Sequence, residues 1–252
     1  MVRILKETLA CLKEETKMLQ TFDMIVREVH VGLWFLVVGY YFLIFVILLL
    51  FRWRKTRNPF SLAMAGFFLL LAVGRVFYFI GDFYADSRSL PTSVPDITPY
   101  LGTSEVWTQA GGFFQWMALA ALAATAGFLI IGKRWAEIAF AIPAVLIGLL
   151  IIAFPGDITD IAVGIGALFY ALFIPLLFWY LAWVSGGVLR KSNFVLGLGF
   201  LVLFAGRVVH SARFALESAG MLSYAASGVL APGLIVIGLI LITAGNEWGQ
   251  AQ

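Results

Sequence analysis

Residues 66–80 read GFFLLLAVGRVFYFI, and residues 198–212 read LGFLVLFAGRVVHSA. Set in register, Phe68, Leu69, Leu71, Gly74, Arg75 and Val76 meet Phe200, Leu201, Leu203, Gly206, Arg207 and Val208 at a constant offset. Both runs are rich in Leu, Phe and Gly and lack period-two alternation, which predicts helices, not barrel strands. Leucine and phenylalanine matches are cheap in such sequence. The shared Gly-Arg-Val is not, because an arginine near a bilayer centre costs at least about 2.5 kcal/mol on insertion scales.

Working outward, similar apolar runs lie at 31–51, 61–84, 110–132, 136–154, 161–184, 194–216 and 223–244. Each is about long enough to cross a hydrocarbon core of roughly 30 Å at about 1.5 Å per residue. Hydrophobic residues make up 62% of the 252 positions and charged residues 12%, too few polar groups to cover a surface in water. The predicted fold is an all-α polytopic membrane protein with seven transmembrane helices, and lipid is its main solvent.

Lysine and arginine set the expected orientation, since short cytoplasmic loops retain positive charge. Arg52, Arg54, Lys55 and Arg57 lie in the first link, Lys133 and Arg134 in the third, and Arg190 and Lys191 in the fifth. The even links carry Arg88 and mostly acids: Asp86, Asp96, Glu105, Asp157 and Asp160. The odd links are therefore expected inside, with the N-terminus outside and the C-terminus in the cytoplasm, in a multi-pass protein of the plasma membrane. The bases of the first thirty residues are balanced by Glu7, Glu14, Glu15, Asp23 and Glu28 and weigh less. Leu5, Leu9, Leu12, Leu19, Phe22 and Val26 recur there at helical spacing, which predicts an amphipathic helix over 1–30 lying on the bilayer. No cleavable signal peptide is expected, because this stretch lacks a continuous apolar core.

The matched runs predict a parallel 3+1+3 internal repeat: a first three-helix unit at 31–132, a linker transmembrane helix at 133–160 and a second unit at 161–252. In architecture alone this is similar to SWEET-type sugar transporters, and rhodopsin-like proteins also have seven spans with the N-terminus outside. No Pro-Gln pair occurs, and the seventh span has no lysine for retinal. No family is implied, and architecture would not license a function.

Counting along the second and sixth spans places Arg75 and Arg207 slightly past the midplane toward the outside. Arg75 and Asp82 share a helix face, and Arg207, His210, Arg213 and Glu217 fall within about a third of the helix circumference. Ionisable groups in a span are expected to face the bundle interior or a wet cavity. Two arginines and a histidine suit an anionic or zwitterionic group, because guanidinium binds carboxylate and phosphate in a planar fork. Tyr78 and its aromatic neighbours suit an apolar or lipid-like portion. The candidate ligand site is thus Arg75, Tyr78, Asp82, Arg207, His210, Arg213 and Glu217. The competing reading is structural, with Arg75 paired to Asp82 and Arg207 to Glu217 or to groups on neighbouring helices.

Pro175, Pro232 and Gly233 are candidate hinges, and Pro143 a further bend. The many alanines of the third span allow close backbone approach, which predicts a central position. A haem between His30 and His210 is the one cofactor the sequence brings to mind, and it lacks supporting spacing, so none is expected. One cysteine, Cys11, excludes an internal disulfide, and with two histidines it excludes a four-ligand structural zinc site. The net charge of +3 comes mainly from loops and reports topology, not nucleic-acid binding. No paired carboxylates, phosphate loop or nucleophile elbow occurs, so an enzyme is the least supported class. The leading expectation is a receptor-like or ligand-binding protein that acts through a partner membrane or cytoplasmic protein. A small-solute transporter working by repeat rocking and a non-catalytic scaffold subunit are the alternatives.

Overall fold

The computed structural model describes residues 28–85 and 101–248. Those residues are helical and contain no strand, and seven of the helices are long and apolar enough to cross a membrane. The chain is an integral, multi-pass membrane protein. The segment expected to form a surface helix lies outside the described residues except for Glu28, Val29 and His30, which belong to the first span.

The spans are α1 (Glu28–Thr56), α2 (Pro59–Phe83), α3 (Ser104–Ile131), α4 (Arg134–Ala153), α5 (Asp157–Val184), α6 (Gly187–Ser211) and, after a short α7 (Arg213–Ser218), α8 (Tyr224–Trp248). Most begin earlier than hydropathy places them; α3 starts at Ser104 and α6 at Gly187. Polar end turns still make their backbone hydrogen bonds at the interface, so helix outlasts apolarity. The link between α1 and α2 is tight. Arg57 adopts φ of +53°, the side chain of Asn58 accepts from the Phe60 N–H at 2.9 Å, and Pro59 supplies the first helical position.

One expectation fails at the end of the sixth span. The helix stops at Ser211, Ala212 turns at φ −89° and ψ 7°, and Arg213 and Glu217 lie on the separate α7. The face shared by Arg207, His210, Arg213 and Glu217 required an unbroken helix, which the chain does not maintain. Hydropathy continues through Phe214 and Leu216, so composition gave no warning of the turn.

The most extensive helix pairs are α6 with α8, α2 with α3, and α3 with α4. Glycine explains the closeness of the first two. A Cβ built on Gly74 of α2 would lie 2.9 Å from the Gly111 carbonyl oxygen of α3, and one built on Gly206 of α6 would lie 2.7 Å from the Ala231 carbonyl oxygen of α8. Backbone meets backbone at both seams, which only a missing side chain permits. Phe67 of α2 and Phe178 of α5 both meet Phe200 of α6, with ring centroids 5.9 and 5.2 Å away, and join the helices in one core.

Helix α3 is the most enclosed span, with 56% of its apolar window buried, whereas α4 has 17%. Packing against α2, α4 and α5 agrees with the central position expected from its alanines. The outer faces of α4 and α5 expose Ile142, Leu146, Leu149, Ile165, Leu168 and Leu172. Such a stripe is unfavourable in water and ordinary against acyl chains. At the end opposite Arg75, buried Arg52 lies in a π-helical stretch of α1, donates to the Asn246 carbonyl at 3.1 Å and pairs with Glu247, tying α1 to α8.

Candidate functional site

Arg75 is the centre of a buried cluster drawn from three helices. Its guanidinium carbon lies 3.3 Å from the ring centroid of Trp34 on α1, a cation–π contact made close by burial, and the residue is 3% exposed. Nη2 reaches Asp82 Oδ2 at 3.5 Å, two turns along the same face of α2. Nη1 lies 3.4 Å from Nε2 of His210 on α6, which itself stands 3.8 Å from Asp82 Oδ2. Guanidinium has only donors, so a hydrogen bond to His210 makes Nε2 the acceptor. Trp34 in turn donates its indole N–H to Nε2 of His30 at 2.8 Å, and its ring meets the His210 ring at 4.7 Å.

Those hydrogen bonds argue against haem ligation. His30 and His210 stand 6.4 Å apart between ring centroids, but both Nε2 atoms face protein donors and the rings are inclined at 56°. Among the described residues, no group of three or more metal-ligating side chains occurs.

Arg207 has a different setting. It is half-buried, donates Nη2 to the Oε1 of Gln115 on α3, and has no carboxylate partner among the described residues. A neutral amide orients the guanidinium without cancelling its charge. Two cavities meet there and share Tyr78, Gln115, Arg207 and Ser211 in their walls. The smaller, of about 70 Å³, extends to Arg75, Trp34 and His210. The larger, of about 340 Å³, is a crevice between α3, α5 and α6 whose far walls are Trp116, Leu119, Val163, Ala171 and Phe204. A polar floor therefore opens into an apolar crevice of the size that ligand sites occupy.

Of the residues singled out in sequence, Arg75, Tyr78, Asp82, Arg207 and His210 converge. Tyr78 lines both cavities, with its ring 5.8 Å from the Arg75 guanidinium carbon. Arg213 and Glu217, on α7, line neither cavity, although the charge of Arg213 still acts on His30 and His210. Pro143, Pro175 and Pro232 lie inside continuous helices, as does Gly233. Pro175 deprives the Ala171 carbonyl of its helical donor, and Ala171 borders the larger crevice. Sequence reasoning missed Trp34 and Gln115. Gln115 carried a signal, as the only amide in the long apolar run of α3 beyond Gly111, while Trp34 resembled an ordinary aromatic of a lipid-facing helix.

The chain matches no protein-family model, no curated protein and no solved structure.

Proposed function

We propose that the chain binds an anionic amphiphile, with its acidic head at Arg207 and Gln115 and its apolar tail in the crevice between α3, α5 and α6. The observation that carries this reading is a half-buried arginine, near the end of its span and with no carboxylate partner among the described residues, at the polar end of a crevice of about 340 Å³. An uncompensated charge there is costly, and an anion relieves the cost. Arg75, held by Asp82, His210 and Trp34, is the positioning residue that holds the α1–α2–α6 wall together. The protein acts as a receptor-like subunit at the plasma membrane, signalling through a partner membrane or cytoplasmic protein.

Palmitate binding to the purified protein in nanodiscs tests this directly. Arg207→Gln is expected to weaken palmitate about 10- to 150-fold, the weight of a charge-assisted hydrogen bond of about 1.5–3 kcal/mol, with the melting temperature unchanged. Hexadecanol, which has the same tail and no charge, is expected to bind both proteins equally. Equal palmitate affinity for wild type and variant would refute the assignment.

The proposed parallel 3+1+3 plan draws support from the matched glycines. Gly74 and Gly206 hold equivalent places in the repeat alignment, and each meets backbone of the following long span. This favours a repeat-rocking transporter as the second reading, with Pro175, Pro232 and Gly233 as its hinges. Palmitate flux in proteoliposomes separates it from a receptor.

The N-terminus is proposed to lie outside, on the strength of the basic odd links. A membrane-impermeant maleimide is then expected to label Cys11 in intact cells. Labelling only after permeabilisation would reverse the orientation.

A further inference from the structure

At the end of the bundle opposite Arg75, α5, α6 and α8 enclose a groove of about 690 Å³. Arg190 lies twenty residues before His210 on α6, so the groove and the buried cluster are about 30 Å apart. Trp179, Trp183, Phe194 and Trp248 form its apolar walls, and Arg190 and Lys191 stand at its rim. Trp183 is 79% exposed, and the Trp179 indole N–H donates to the Phe194 carbonyl at 3.3 Å.

Charge decides what suits this groove. Glu247, beside Trp248 in sequence, is committed to Arg52. Arg190 and Lys191 are exposed and pair with no carboxylate among the described residues. Two adjacent cations of different shape, a planar fork and a point charge, can share one phosphate. Tryptophans at the end of transmembrane helices sit at headgroup depth, where an apolar ring face meets chains and an indole N–H meets polar groups.

We propose that this groove is a binding site for an anionic glycerophospholipid of the adjacent leaflet, whose phosphate bridges Arg190 and Lys191 and whose acyl chain lies along Trp183 and Phe194. The site is independent of the palmitate crevice. A lipid fits better than a soluble anion because the charged rim continues into apolar walls that face the bilayer. The generic attraction of basic loops to acidic headgroups is its rival, and it makes no distinction between these two bases and others at the same end.

Native mass spectrometry of the full chain, titrated in detergent with phosphatidylglycerol or phosphatidylcholine, reads the difference. Wild type is expected to retain phosphatidylglycerol preferentially. Arg190→Gln and Lys191→Gln are each expected to weaken it about 5-fold and the double variant about 30-fold, the weight of one and two charges at a membrane surface. Lys133→Gln combined with Arg134→Gln removes two exposed bases at the same end of the bundle, and is expected to bind as wild type does. Trp183→Ala, at a residue whose side chain is mostly exposed, is expected to weaken binding without changing charge. Excess inorganic phosphate is expected not to displace the lipid. Equal losses in the Lys133/Arg134 and Arg190/Lys191 variants would overturn the site in favour of generic attraction. Displacement by phosphate would overturn the lipid assignment, and equal retention of phosphatidylcholine would overturn the role of charge.

Discussion

Replacing Arg75 by glutamine is expected to destabilise the protein by about 3–5 kcal/mol, the cost of breaking a buried ion pair from one side. Asp82 Oδ2 then loses the guanidinium that stands 3.5 Å from it, while the His210 ring stays 3.8 Å away. The contact over Trp34 at 3.3 Å is lost as well, which adds about 0.5–2 kcal/mol. A thermal melt in detergent is expected to shift down by about 6–20 °C for the charge term alone. Adding Asp82→Asn should recover much of that term but not the loss over Trp34. Full recovery would mean that the cation–π contact contributes nothing, and no loss in the single variant would remove Arg75 from its structural role. Arg207→Gln is the contrasting case: binding falls and melting does not. One Gly-Arg-Val would then carry architecture and the other recognition.

Gly238→Ala is expected to be nearly as damaging, at about 2–3 kcal/mol, although it adds one methyl group. A Cβ there would stand 2.6 Å from the Leu203 nitrogen and 2.8 Å from the Gly199 carbonyl oxygen, both backbone atoms of α6. No rotamer change relieves a backbone clash, so α6 and α8 must separate along their seam. Because α6 carries Arg207, palmitate binding is expected to weaken with stability. Gly233→Ala is the matched control on the same helix, since no atom lies within 4 Å of its would-be Cβ. Its melting temperature is expected to stay at or slightly above wild type, because alanine is the better helix former. Equal melting of the two variants would show that the α6–α8 seam tolerates separation.

Much of this organisation is legible in one dimension. Seven continuous apolar runs with the length of a bilayer and no period-two alternation read as helices, because lipid offers backbone groups no partners outside the segment itself. The cost of charge in hydrocarbon likewise sends Arg75, Asp82, Arg207 and His210 inward whatever the neighbouring helices are. The matched Gly-Arg-Val marked two glycines whose close contacts the structure supplies, against Gly111 and Ala231.

Which arginine has a carboxylate could not be read that way. Sequence treated Arg75 and Arg207 as equivalents, and their environments diverge because Asp82 follows Arg75 on its own helix while the turn at Ala212 takes Glu217 onto α7. Gln115 meets Arg207 from 92 residues away, and His210 meets Arg75 from 135. Such partners depend on the rotation and depth of each helix against its neighbours, which are fixed by close backbone contacts such as Gly206 on Ala231, not by hydropathy. The crevice beside Arg207 and the groove beside Arg190 exist for the same reason. The sequence by itself determined which residues leave water and which of those must face protein; only the packing of the helices decided what each one meets there, because partner choice is a property of interhelical geometry and burial is a property of composition.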